Sequence, residues 1–128
     1  MKYSGVEEFV LLNLKDALEK VPTNLKNGVI IFLYANYPDD RSAKYQGAGA
    51  LGRMRLVSGR YIIEIFPNAY QSPQHVVYTL GHEFGEVAFA VGKEAGTLDD
   101  YSKQLKDFDK EVWVDKKATS WGFQKPRL

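Results

Sequence analysis

The stretch Thr79 to Phe89, TLGHEFGEVAF, concentrates groups able to bind an ion or move a proton. A helix advances about 100° per residue, so side chains four apart meet on one face. On such a helix His75, Thr79, His82 and Glu86 form a narrow polar stripe, with Glu83 beside it. His82 and Glu86 can then grip one divalent ion, and Glu83 can reach a water on it. His75 is two turns from His82, too far to ligate the same ion. Leu80, Phe84, Val87 and Val91 take the apolar side. The competing reading is a solvated charged face, which one histidine and two glutamates at this spacing do not exclude.

A second acidic pair lies downstream in EVWVDKKA, Glu111 to Ala118. Leu98, Tyr101, Leu105, Phe108 and Val112 recur at helical spacing, and the stripe continues to positions 115 and 119. Position 115 is Asp, and Glu111 sits one turn earlier on the neighbouring face. A carboxylate on a buried stripe is costly unless it is paired or meets a metal. The alternative is that Asp115 reaches water near the helix end, or pairs with Lys116 or Lys117.

Elements must bring these groups together. Ser4 and Glu7 form a capping box for a first helix whose stripe is Val6, Val10, Leu14, Ala17 and Val21, stopped by Pro22. Asn27-Gly28 is a turn signal, and Val29 to Tyr37 reads as a strand buried on both faces. A polar loop follows, Pro38 to Gly49. Leu51 to Val57 places Arg53 and Arg55 on one face and Met54 and Leu56 on the other. Ser58-Gly59 turns it into the returning strand, Arg60 to Phe66. Ser72 with Pro73 starts the HEFGE helix, expected to run to about Val91. Thr97 is the cap expected for the last helix, which ends near Gly122.

Gly81, Gly85, Ala88 and Gly92 make a flat strip along the HEFGE helix. Each interior glycine costs about 1 kcal/mol relative to alanine, a cost that makes sense where another element must approach closely. The order helix, strand, strand, strand, helix, helix predicts an α+β fold. It is a small, mainly antiparallel sheet with helices packed on one side, in a single domain over 1–128.

Composition narrows the function classes. The 128 residues carry 17 basic and 16 acidic side chains, a formal charge of +1, which asks for neither nucleic acid nor an anionic membrane. Only KYQGAGALGRMR (Lys44 to Arg55) and the KPRL tail are locally basic. No cysteine is present, so thiolate metal sites, disulfides and cysteine nucleophiles are excluded. MKYSGVEEF lacks the apolar core of a signal peptide, and VIIFLYA is too short to span a bilayer. The expectation is a soluble, cytoplasmic protein.

Together these segments resemble a zincin, of the small gluzincin metallopeptidase type. HEFGE is similar to the helical H-E-x-x-H signature, with Glu86 in place of the second histidine, and keeps the glycine of the HELGH form. EVWVDKKA, followed by TSWGF, resembles the family's later-helix pattern E-x-x-A-D-x-x-A. GRYIIEIFPNAYQSPQHVVYTLGHEF resembles its edge strand and the lead-in to its catalytic helix. The similarity covers Gly47 to Phe123 and is closest to ImmA/IrrE-like and phage-associated zincin domains.

The resemblance implies a minimal zincin-like fold and a metal held by His82, Glu86 and Glu111. Glu83 would be the base that takes a proton from the metal-activated water. Asp115 would accept a hydrogen bond from the other ring nitrogen of His82. An extended peptide or protein would pair with the edge of strand 60–66. Two carboxylates offset the whole charge of a divalent ion, so its water is less acidified. Oxygen ligands also weaken the preference for zinc over manganese or iron, so the site is slower, metal-shifted or empty.

The function implied is a metal-dependent peptidase. The alternative is a catalytically inactive binding or structural protein on the same scaffold, of viral or mobile-element origin. Tyr45, Tyr61, Tyr70 and Tyr101 are conceivable donors to a transition state, with packing as the competing role. Trp113 and Trp121 read as helix packing.

Overall fold

The computed structural model describes residues 2–3, 6–36, 51–98 and 107–126. In chain order the elements are β1 (Lys2–Tyr3), α1 (Glu8–Leu18), the single turn α2 (Thr23–Lys26), β2 (Ile30–Leu33), β3 (Gly52–Val57) and β4 (Arg60–Ile65). A 3₁₀ turn (Pro67–Gln71), α3 (Pro73–Ala95) and α4 (Asp107–Ser120) follow. Ser4, the loop Pro38 to Gly49 with Tyr45, Tyr101, Leu105 and the side chain of Phe108 lie outside the described residues.

The fold is α+β. Four strands form one sheet in the order β1-β2-β4-β3. Among the described residues only the β3–β4 hairpin is antiparallel; β1 pairs parallel with β2, and β2 pairs parallel with β4. The sheet is therefore mixed rather than mainly antiparallel. Ile31 and Leu33 are buried while Ile30 and Phe32 are half-buried, and apolar groups on both faces are the mark of a strand within a parallel pairing. The β3–β4 turn forms as its residues require: Ser58 and Gly59 both take left-handed backbone, with φ of 51° and 79°, the two-residue turn that matches strand twist.

One sheet face carries Ile31, Leu33, Ile63 and Ile65. They pack with Val10, Leu14 and Ala17 of α1 and Val76, Leu80, Phe84 and Val87 of α3. The Arg53–Glu64 register pair carries a different chemistry. Glu64 is wholly buried; Arg53 Nε and Arg55 Nε each donate to its Oε1 at 2.6 Å, and the Tyr34 hydroxyl donates to its Oε2 at 2.6 Å. Burial works to raise the Glu64 carboxyl, but the hydrogen bonds from Arg53, Tyr34 and Arg55 outweigh it and hold the group below its ordinary value. Burial, then the hydrogen bond to Glu64 and its charge, push the Tyr34 hydroxyl up to about 12, against the opposing charges of Arg55 and Arg53.

α3 begins as its sequence dictates. Ser72 Oγ accepts the His75 N–H at 3.1 Å, and Pro73 opens the helix. It runs past Val91 to Ala95, because the first residue in left-handed backbone is Gly96, with φ of 68°. The Thr97 N–H donates to Gly92 O at 2.9 Å and so closes this helix; the start of the helix that Thr97 is expected to cap lies outside the described residues. Among the described residues no helix is long and apolar enough to cross a membrane.

Candidate metal centre

α3 supplies one wall of the site and α4 the other. The glycine strip lets them close together. A Cβ on Gly81 would strike the Phe123 ring, and one on Gly85 would lie 2.9 Å from Val114 Cγ1 and 3.0 Å from Val114 O. On the third side β3 crosses α3, with Gly52 facing Thr79 and Glu83; a Cβ there would stand 2.8 Å from Thr79 Cγ2. The three elements enclose a cleft of about 660 Å³ whose walls include His82, Glu83, Glu86, Glu111 and Asp115.

His82, Glu86 and Glu111 form a group that can hold a metal ion, each offering one ligand atom, all within 4.8 Å of one another. His82 Nε2 lies 3.2 Å from Glu111 Oε2 and 3.8 Å from Glu86 Oε1. Ligands about 2.0–2.2 Å from an ion at tetrahedral angles stand about 3.3–3.6 Å apart, a range that the two spacings from His82 bracket. The other imidazole nitrogen, Nδ1, lies 3.1 Å from Asp115 Oδ1. That contact fixes the ring so that Nε2 faces the carboxylates.

Asp115 is reached for a different reason than its place on an apolar stripe. Among the described side chains of α4 the buried ones are Val114 and Ala118, while Val112 is 43% exposed. The Asp115 side chain is 34% exposed rather than mostly buried. It does not depend on Lys116 or Lys117: Tyr78 donates its hydroxyl proton to Oδ1, and Lys125 Nζ lies 3.7 Å from Oδ2. Burial works to raise the Asp115 carboxyl; the hydrogen bonds from Tyr78 and His82 outweigh it and lower the group. The Tyr78 hydroxyl is pushed up, by burial first and then by Asp115.

Glu83 is buried against the cleft, and its carboxyl is pushed up to about 8 by burial, then by the charges of Glu86 and Glu111. Glu111 is also raised, by burial and by its hydrogen bond and charge interaction with Glu86. Lys110 Nζ stands 2.8 Å from Glu86 Oε2. A carboxyl held near neutrality beside a cluster of ion-binding atoms can accept a proton and return it, and the cluster can hold the charge that such a step creates.

Other expectations fall elsewhere. His75 stays at the helix cap, its Nδ1 2.6 Å from Ser72 Oγ. Tyr61 and Tyr70 bond to Glu94 and to Ile65 O and do not line the cleft. Trp113 packs edge-on against Phe89, with ring centroids 5.3 Å apart. Strand 60–66 has no free edge, because β4 lies between β2 and β3; among the described residues the edge strand beside the cleft is β3. A hairpin alone does not tell which of its strands joins the rest of the sheet. Tyr78, Lys110 and Lys125 are among the cleft residues that sequence spacing did not place there. Tyr78 was discoverable, since it precedes His82 by one turn on the same face.

In comparisons with known proteins, no family model, no curated protein and no solved structure matches the chain.

Proposed function

We propose that this protein is a metal-dependent hydrolase of peptide bonds, built like a small gluzincin-type zincin. The observation that carries the proposal is the convergence of His82, Glu86 and Glu111 from two helices at ligand spacing. The ion is zinc, with manganese and iron as the alternatives that oxygen-rich ligation admits. When bound, it polarises the scissile carbonyl and acidifies the attacking water.

The chain's own residues divide the remaining work. Glu83 accepts the proton of the attacking water and delivers it to the leaving amine, so the carboxyl ends the cycle as it began. Asp115 and Tyr78 hold His82 in one ring orientation. The outer edge of β3 offers backbone groups to an extended peptide, which would lie across the cleft beside Gly52. The test is metal analysis of protein purified without added metal, followed by hydrolysis of a peptide library with and without a chelator. The expected result is about one ion per chain and cleavage that chelation removes and zinc restores. Bound metal without cleavage assigns the site to a structural or binding role, and no metal at any occupancy refutes the proposal.

A further inference from the structure

Glu86 occupies a candidate ligand position with a carboxylate. Its two oxygens have different partners: Oε2 meets Lys110 Nζ at 2.8 Å, and Oε1 is the atom on the His82 side, 3.8 Å from Nε2. Lys110 is itself held in place. Its ammonium lies 5.6 Å from the centroid of the Phe89 ring, and Phe89 is braced by Trp113. The Glu86 side chain is 11% exposed and that of Lys110 35%, so water reaches the pair from the lysine side only.

We infer that Lys110 is the positioning residue that makes a carboxylate serviceable at position 86, by occupying one oxygen and offsetting its charge. The inference rests on the metal-centre reading above. The charge balance supports it. A divalent ion with two neutral imidazoles and one carboxylate keeps one net positive charge. Replacing an imidazole by a carboxylate cancels that charge, and one ammonium bonded to the carboxylate restores it. The geometry adds a second effect: with Oε2 engaged, Glu86 can offer only Oε1, so an ion keeps an open position for water instead of a two-oxygen grip. A plain surface ion pair would do neither, and its loss would cost little.

The experiment uses the full chain with Lys110→Met, Lys110→Gln and Lys110→Arg, each checked for wild-type circular dichroism. Zinc affinity is measured by competition with a chromophoric chelator, and coordination by the visible spectrum of the cobalt(II) form. Lys110→Met and Lys110→Gln are expected to bind zinc at least about threefold more tightly, since a repelling charge is gone and Oε2 is freed. Their cobalt spectra should weaken as the coordination number rises, and kcat should fall with KM little changed. Lys110→Arg should keep wild-type affinity and spectrum. Zinc affinity in Lys110→Met and Lys110→Gln equal to or weaker than wild type, with an unchanged cobalt spectrum, overturns the inference while leaving the metal centre standing. A wild-type chain that binds neither zinc nor cobalt overturns both.

Discussion

Glu83 and His82 are neighbours in sequence, yet the helix aims them at different surroundings. His82 Nε2 faces Glu86 and Glu111, whereas Glu83 turns toward β3, close enough that a Cβ on Gly52 would lie 3.5 Å from its Cγ. Glu83→Gln keeps the shape and burial of the side chain but cannot take a proton. If the chain hydrolyses peptides as proposed, this variant should lower turnover by at least about 100-fold while leaving zinc stoichiometry unchanged, as read from metal analysis and steady-state kinetics on the same preparation. Loss of zinc in this variant would mean that Glu83 is a ligand and not a base. The identities at this scale were legible because a helix converts spacing into adjacency: H-E-x-x-E fixes which groups share a face. Lys110 was not legible, because its role depends on a contact between helices that no spacing along one helix encodes.

Between elements, the decisive contact is α3 against α4. At Gly85 the nearest obstacle to a methyl group includes Val114 O, a backbone atom that cannot turn aside. Gly85→Ala should therefore push α4 outward and cost about 1–3 kcal/mol of stability, more than the roughly 1 kcal/mol gained in helix propensity. Because α4 carries Glu111 and Asp115, zinc affinity should fall with it. Gly92→Ala is the control: its close neighbour is the Leu98 side chain, remote from the cleft, so metal binding should be unaffected. Denaturant titration with parallel zinc competition separates the two variants, and equal zinc affinities would show that α4 does not need this approach. The glycine strip, the Ser72-Pro73 start and the Ser58-Gly59 turn could all be read in advance, since each is a local backbone requirement. The phase of α4 could not. Its expected stripe through Val112 and Asp115 gives way to Val114 and Ala118, because a polar helix with few large apolar groups is oriented by what it packs against. The parallel pairing of β2 with β4 was hidden for a similar reason: pairing partners are chosen by the whole sheet.

At the scale of the molecule, two buried carboxyls pull stability in opposite directions with pH. Glu64 is lowered in the folded state by Arg53, Tyr34 and Arg55, so its contribution is present above its ordinary value of 4.5 and disappears as the pH falls below it. Glu83 is raised from 4.5 to about 8, so the folded chain holds a proton that the unfolded chain releases. Its contribution is complete at low pH and declines as the pH rises through that window, by several kcal/mol at about 1.4 kcal/mol per unit. Glu111 is raised as well and acts in the same direction. The metal-free protein should accordingly be most stable near about pH 5 and weaken toward about pH 8. A divalent ion at His82, Glu86 and Glu111 replaces protons with a charge that does not titrate, so zinc should stabilise the fold more as the pH rises. Thermal unfolding at about pH 5, 6, 7 and 8, with zinc and with chelator, reads this as a gap in Tm that widens with pH. A chelated protein that instead gains stability steadily across that range would show that the acidic cluster is not strained when empty of metal, and that the cleft is built around its ion pairs alone.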